Sequence, residues 1–302
     1  MGLRRLIAAL PSDFFLTFVD VGSAGGLHKR WRPFEPILSA ILFEPREGAS
    51  ASGALGRGQS RTYPVALSDR AGEVDLHITQ LANMSSFLMP DAAVFGRYRK
   101  KGADAKVVGT EKVPVDRLDA LAEADGFRPD VLKVDTQGSE LLVLKGAEES
   151  LRFVVVAEIE VSFFRRYSGQ PVFAEIEAWM NARGFELVEL HKLKRYRAAN
   201  SLGIRQPLLG GAQRSGRVAY GDAIFMRSQD DLLAAAREDG GESVLRGVLA
   251  LLAYGKADHA AALFDAGRET LPAGRADAIA TALAGMKRWR ILPPLSSLLP
   301  RA

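Results

Sequence analysis

Residues 131–160 read VLKVDTQGSELLVLKGAEESLRFVVVAEIE, and their hydrophobic rhythm changes twice. Val131 to Val134 is a short apolar strand that ends at Asp135. A turn through Gly138 then opens a helix running to Lys145, with Glu140 in the first turn, where a carboxylate suits the helix dipole. Phe153 to Ile159 follows as a second strand, nearly continuous in apolar residues. Such a strand belongs in a parallel sheet covered by helices on both faces. Further strands of this kind recur outward at Phe15 to Val21, Ala40 to Phe43, Arg61 to Ala66, Phe185 to Leu190 and Ala223 to Met226. Between them, Val172 to Ala182 places Phe173, Ile176, Trp179 and Met180 on one helical face. The alternation predicts a doubly wound, Rossmann-like α/β domain with seven strands over residues 1–228.

Composition narrows the function. Of 302 residues, 47% are hydrophobic and 25% charged, which excludes disorder, collagen and coiled coil. Lys plus Arg number 40 against 36 Asp plus Glu, too even for a dedicated nucleic-acid binder. The absence of cysteine removes disulfides, thiolate catalysis and Cys-ligated metals. The opening MGLRRLIAALPSDFF is stopped by Pro11 and Asp13 and reads as the N-terminal helix of a cytoplasmic protein. No stretch approaches the roughly 18 apolar residues of a spanning helix.

Two regions depart from the alternation. Ser68 to Val113 reads as an insertion over a binding face, with a hairpin through Gly72 and a basic run from Arg97 to Lys101. From Gln229 onward, Ala, Leu, Arg and Glu at helical spacing, broken at Gly240, Gly241, Gly255 and Pro272, predict a C-terminal extension of three or four helices over 229–302. LLAYGKADHAAALFDAGRETLP, residues 251–272, looks like one tetratricopeptide helix pair without a repeat. The end, MKRWRILPPLSSLLPRA, either packs on the core or lies at a membrane surface.

The chemistry gathers at strand ends. FVDVGSAGG, residues 18–26, follows the first strand with glycines that let backbone amides approach an anion. Gly22 and Gly26 stand where the first and third glycines of a nucleotide loop would be, with Ala24 between them. Glu44 in ILFEP sits where such a site places a carboxylate on ribose hydroxyls, or simply ends its strand. Asp20 closes a buried strand and needs a partner, from a ligand amino group or the loop amides. Asp135 should lie beside it, because ligands of open α/β sheets bind outside the carboxyl ends of the strands. In AEIE, Glu158 and Glu160 share a strand face, and either face the pocket or pair with Lys133, Arg165 or Arg166.

The ordered series VDVGSAGG, FEP, VALSDRAGEVDL, NMSSFL, VPVDRLD, LKVDTQGSELLVLKGAE, VVVAEIEVSFF, YSGQPVFAEIEAWMNARGFEL and GDAIFMR resembles the FkbM family of S-adenosylmethionine-dependent methyltransferases over about residues 15–228. The resemblance implies the class I methyltransferase fold, with Ala223 to Met226 antiparallel beside Phe185 to Leu190. It implies that Asp20, Gly22, Ser23 and Gly26 hold the methionine end of the cofactor, Glu44 the ribose hydroxyls, and Leu67, Ser68 and Asp69 the adenine edge. Asp135 and Thr136 would close the site near the transferring methyl. The implied reaction is O-methylation of a sugar, a glycan or a secondary metabolite.

A hydroxyl acceptor loses a proton, and the candidate bases are Asp135, then Glu158 or Glu160, then His28 beside the glycine loop, although His28 reads more readily as a half-exposed helix residue. His77, His191 and His259 are scattered without metal-ligand spacing, so no metal site is expected, although a divalent ion on Asp135 and neighbouring carboxylates would leave no spacing signature. For the acceptor, NMSSFL with Tyr63, Tyr98 and Tyr167 offers polar groups suited to a sugar, or forms a solvated loop. His191 to Gly221 carries Lys192, Lys194, Arg195, Arg197, Arg205, Arg214 and Arg217 and no acid, and could hold the phosphate of a nucleotide-linked or lipid-linked sugar. Two other readings stand beside this one: an inactive methyltransferase-like module whose helical tail recruits a partner, and an NAD-linked sugar-modifying enzyme. The C-terminal helices also offer a surface for homo-oligomers.

Overall fold

The structure, a computed structural model, describes residues 2–22, 27–46, 58–204 and 215–286. From the N-terminus, α1 (Gly2–Ala8) leads to β1 (Leu16–Val21), a 3-10 segment (Lys29–Ile37), β2 (Leu38–Phe43) and β3 (Gln59–Tyr63). A smaller unit follows, made of β4 (Ala66–Leu67), β5 (Gly72–Thr79), α2 (Ala92–Gly96), α3 (Lys101–Asp104) and β6 (Val107–Asp116). Then come α4 (Leu118–Asp125), β7 (Val131–Val134), α5 (Glu140–Lys145), β8 (Val156–Ser162), α6 (Phe173–Asn181), β9 (Phe185–Tyr196) and β10 (Arg217–Arg227). The last elements are α7 (Gln229–Glu238), α8 (Glu242–Ala253), α9 (Ala257–Gly267) and α10 (Ala273–Met286).

Seven strands form the main sheet in the order β3-β2-β1-β7-β8-β10-β9. The first five are parallel, and β10 lies antiparallel between β8 and β9. This is the class I methyltransferase arrangement, as expected. The strand order turns back between β1 and β7, which makes their carboxyl ends the crevice of the sheet.

Four local expectations need correcting. The strand read as Arg61 to Ala66 is two strands, because Pro64 ends β3 and Ala66–Leu67 belongs to a separate three-stranded sheet. The strand read from Phe153 starts at Val156, since Ser150–Arg152 forms a 3-10 turn that closes on Phe153. The flanks of Gly72 do not form a hairpin. Instead Val115 of β6 lies between them, parallel to Ala66 and antiparallel to Gly72. Finally, β9 and β10 run well past Leu190 and start well before Ala223, so much of the basic stretch after His191 is strand rather than loop.

The link from β1 to β2 is a 3-10 segment because it contains Pro33 and Pro36, which cannot donate the amide bonds of an α-helix. Its three-residue period puts Trp31, Phe34 and Ile37 on one buried side, with the Trp31 ring 4.7 Å from that of Phe18. This segment, α1 and the four C-terminal helices cover one face of the sheet in a single apolar cluster that includes Leu6, Phe18, Val156, Ile224, Leu232, Val248, Phe264 and Ile279. The other face buries Val19, Leu132, Ile159 and Phe225 under α4, α5 and α6. Among the described residues, no helix is long and apolar enough to cross a membrane.

Candidate functional site

The face beneath the C-terminal helices changes character along its strands. At the amino end it is apolar, and toward the carboxyl end it becomes ionic. One row across the sheet sets Asp20 of β1 beside Lys133 of β7 and Lys133 beside Glu158 of β8. In a row nearer the carboxyl edge Glu160 stands opposite Asp222 of β10, and Asp222 opposite His191 of β9. Cross-strand neighbours share a face, so these groups meet one another by register alone.

Gly22 ends β1 with φ +80°, and a Cβ there would lie 2.1 Å from the Asp135 carbonyl oxygen. Only glycine lets β1 and β7 finish this close together. The partner of Asp20 is Lys133, whose Nζ donates at 2.8 Å, where the sequence pointed to a ligand or the loop amides. Burial pushes the Asp20 carboxyl up against the opposing pull of Lys133. Burial also works to lower the Lys133 pKa, but the carboxylates of Asp20 and Asp135 carry it above the ordinary lysine value.

Past β7 the chain turns through Gln137, a non-glycine residue at φ +57°. Its amide donates to Asp135 Oδ1 at 2.9 Å and to both Glu160 oxygens at 3.1 Å, and so ties two strand ends together. Glu140 is buried and accepts from Thr136 N at 3.1 Å and Gly138 N at 2.9 Å, which fixes the turn. Glu160 meets the buried Arg166 guanidinium at 3.3 Å. Arg166 donates onward to Ser162 Oγ at 3.0 Å and to the Tyr196 hydroxyl at 3.3 Å. Burial and the nearby Asp135 charge lift the Glu160 carboxyl well above the usual range despite Arg166.

Glu158 is the second hub. It accepts from Arg30 Nη2 at 3.1 Å, Lys192 Nζ at 3.3 Å and the Tyr254 hydroxyl at 3.0 Å. Burial acts to raise its pKa, but these donors hold it below the usual carboxylate value. His191 Nε2 lies 3.6 Å from both Glu158 Oε1 and Asp222 Oδ2. The ligand atoms of Glu158, His191 and Asp222 lie within 4.8 Å of one another, a spacing that suits a metal ion. The Lys192 ammonium already sits against this group, 2.6 Å from Asp222 Oδ2, and an entering cation would have to displace it.

A model of the FkbM methyltransferase domain matches residues 34–187 of this chain. The chain belongs to the FkbM methyltransferase family. Methyltransferase sdnD of Sordaria araneosa is 35% identical over 211 residues, covering 60% of this chain and 77% of that protein. No solved structure matches. The protein is therefore a methyltransferase, and the matched FkbM region carries Glu44, Asp135, Glu158 and Glu160, while the glycine loop, β10 and the C-terminal helices lie beyond it.

Of the residues singled out in this FkbM chain, Asp20, Gly22, Asp135, Thr136, Glu158 and Glu160 gather along one stretch of the carboxyl edge. Ser23 and Gly26 lie outside the described residues. Glu44 follows β2, and its Oε1 accepts from Arg46 N at 3.2 Å. Leu67 and Ser68 are buried at the end of β4, and the Ser68 hydroxyl lies 3.2 Å from Asp69 Oδ1. His28 is exposed and caps the 3-10 segment, its Nδ1 accepting from Arg30 N at 3.3 Å and Arg30 Nε at 3.1 Å. Burial and the Arg30 charge lower its pKa.

The proposed acceptor hydroxyls do not converge. Tyr63 bonds Asp125 at the β3 edge, Tyr167 donates to Met84 O at 2.9 Å, and Ser85 and Ser86 bond Thr79 N and Leu88 N. Sequence reading missed Arg30, His191, Lys192, Asp222 and Tyr254 as one cluster. Its only trace was the period-two pair Glu158 and Glu160, which marks a polar face without naming what meets it.

Proposed function

We propose that this protein transfers a methyl group from S-adenosylmethionine to a hydroxyl of a sugar, a glycan or a secondary metabolite. The observation that carries this reading is the meeting of the Gly22 turn, Asp20 and Asp135 where the sheet order reverses. The donor set fits a cofactor with a cationic amino acid end and a vicinal diol: carboxylates at the ends of β1 and β2 suit an ammonium and two hydroxyls. Asp20, Gly22, Ser23 and Gly26 would hold the methionine part, Glu44 the ribose, Leu67, Ser68 and Asp69 the adenine edge, and Asp135 and Thr136 the mouth of the site. When bound, the cofactor supplies an electrophilic methyl group on a sulfonium.

The protein's own contribution is largely positioning, since an in-line displacement is accelerated chiefly by alignment. The Gln137 amide fixes Asp135 through Oδ1, and Oδ2 has no partner among the described residues. That oxygen is our choice for the proton of the acceptor hydroxyl. We assign catalysis to residues 1–228, with 229–302 as an extension whose described helices, up to Met286, lie over the same sheet.

The test is calorimetric titration of the wild type and an Asp20→Asn, Glu44→Gln variant with S-adenosylmethionine, S-adenosylhomocysteine and NAD, with thermal unfolding as the check on folding. Binding of the first two, weakened in the variant by about tenfold or more for the loss of charge-assisted hydrogen bonds, is expected. Binding of NAD alone would move the protein to the oxidoreductases, and binding of none of the three would leave an inactive module.

A further inference from the structure

The basic run of the insertion and the basic strand β9 are about a hundred residues apart in sequence and adjacent in the fold. Tyr98 and Ala198 form an antiparallel bridge, Arg99 N donates to Arg197 O at 3.0 Å, and Ala199 N donates to Arg97 O at 2.8 Å. The junction walls a cavity of about 250 Å³ lined by Tyr98, Tyr196, Arg197, Asn200, Ser215 and Arg217. Arg197 and Arg217 line it, Arg97, Arg99, Lys100 and Lys194 lie within two residues of its lining in the sequence, and none of the six pairs with a carboxylate among the described residues. Asp104 is already taken by Lys101 at 2.9 Å, whose ammonium lies over the Tyr196 ring in the cavity wall. Arg217 also stacks over Phe164 at 4.1 Å, which leaves the edge of its guanidinium available.

Like charges held together repel, and a neutral sugar would not relieve that repulsion. A phosphate would, because guanidinium groups donate to it in paired fashion. The cavity is smaller than the roughly 300–1,000 Å³ of sites that enclose a whole drug-sized ligand, so it suits an end group rather than an entire substrate. One chain of side-chain hydrogen bonds links its wall to Asp135. Tyr196 in its wall accepts from Arg166, Arg166 pairs with Glu160, and the Gln137 amide joins Glu160 to Asp135.

Resting on the methyl-transfer reading above, we propose that the acceptor is a phosphate-bearing small molecule, with its phosphate or diphosphate held between Arg197 and Arg217 and its hydroxyl directed to Asp135. The experiment titrates the full chain with inorganic pyrophosphate and with uridine diphosphate, in the wild type, in Arg197→Gln and in Arg197→Gln, Arg217→Gln, with S-adenosylmethionine titrated into each. Saturable binding of both anions is expected, about tenfold weaker or more in the double variant, with S-adenosylmethionine affinity unchanged. Arg197→Gln alone, at an exposed position, keeps the test valid if removing the Arg217 stack unfolds the protein, and is expected to weaken both anions in the same direction. Absence of anion binding, or binding that the substitutions leave unaltered, overturns the proposal, as does binding of a single-stranded RNA oligonucleotide that pyrophosphate does not displace. Failure of S-adenosylmethionine to bind the wild type while the anions do would count against the methyl-transfer reading and not against the anion site.

Discussion

The two faces of the main sheet are built from the same strands, yet they do different work. On the side of α4, α5 and α6, Val19, Val21, Leu132, Val134, Ile159, Val161 and Phe225 make one apolar layer from end to end. On the other side the apolar layer stops midway, and Asp20, Lys133, Glu158, Glu160 and Asp222 take over toward the carboxyl edge. The period of two lets a single strand serve both purposes, since alternate residues answer to different demands. The first face holds the protein together. The second is divided between a floor for the C-terminal helices and an ionic crevice whose groups are satisfied pairwise, as buried charges must be.

The largest effect should follow from damaging the first face. Phe225→Ala, at a fully buried position, is expected to cost about 3–5 kcal/mol, the usual loss for emptying a core aromatic site. Urea unfolding measures this. The methyl-donor affinity of the molecules that remain folded should be unchanged, and a loss of affinity matching the loss of stability would show that the two faces are not separable.

Much of this division was legible in the sequence, because strand ends and glycine turns are local signals. The runs ending at Val21, Phe43 and Val134 each announced a parallel strand, and the carboxylates Asp20, Glu44 and Asp135 at their ends announced the crevice. What could not be read was pairing between strands. Asp20 and Lys133 looked like separate problems until register set them side by side. The β9–β10 ribbon was cut short because HKLKRY has no apolar alternation: both of its sides are largely solvated, and backbone bonds to β10 rather than burial keep it extended. His191 and Asp222, which face each other on that ribbon, were therefore left in a supposed loop or passed over.

The second expected effect concerns the seam where the C-terminal helices dock on the amino half of the second face. Asp130 Oδ2 accepts from Thr17 N and from Arg246 Nη1 of α8, each at 2.7 Å. Burial lifts its pKa from 3.8 to about 6, even with Arg246 beside it. Between those values the unfolded chain has given up a proton that the native state keeps, so this site's contribution to stability falls as pH rises. With about 1.4 kcal/mol per pKa unit, the fall amounts to about 3 kcal/mol across the window. In Asp130→Asn the fall should vanish, so the stability difference between wild type and variant, followed by urea unfolding, should shift against the wild type as pH climbs from about 4 to about 6. A difference that stays flat would mean that Arg246 keeps Asp130 ionised throughout.

The smallest effect tests whether the C-terminal helices also serve the crevice. The hydroxyl of Tyr254, at the end of α8, reaches from those helices to Glu158; its ring packs edge-on to Trp31 with centroids 5.9 Å apart, under the Arg30 guanidinium at 4.7 Å. Tyr254→Phe keeps the ring and removes one hydrogen bond to a charged acceptor, so a loss of about 1–2 kcal/mol is expected by thermal or urea unfolding. Taken alone, that loss would not distinguish a cover from a working part of the site, because Arg30 and the half-exposed Lys192 still hold the carboxylate. The same substitution made in a Lys192→Met background separates the two. If the hydroxyl and the ammonium jointly hold Glu158, its loss should cost more there than in the wild type, with a coupling above about 0.5 kcal/mol as found for groups sharing a network. Additive losses would mean that the hydroxyl and the ammonium hold Glu158 independently, and leave α8 as a cover over the apolar floor.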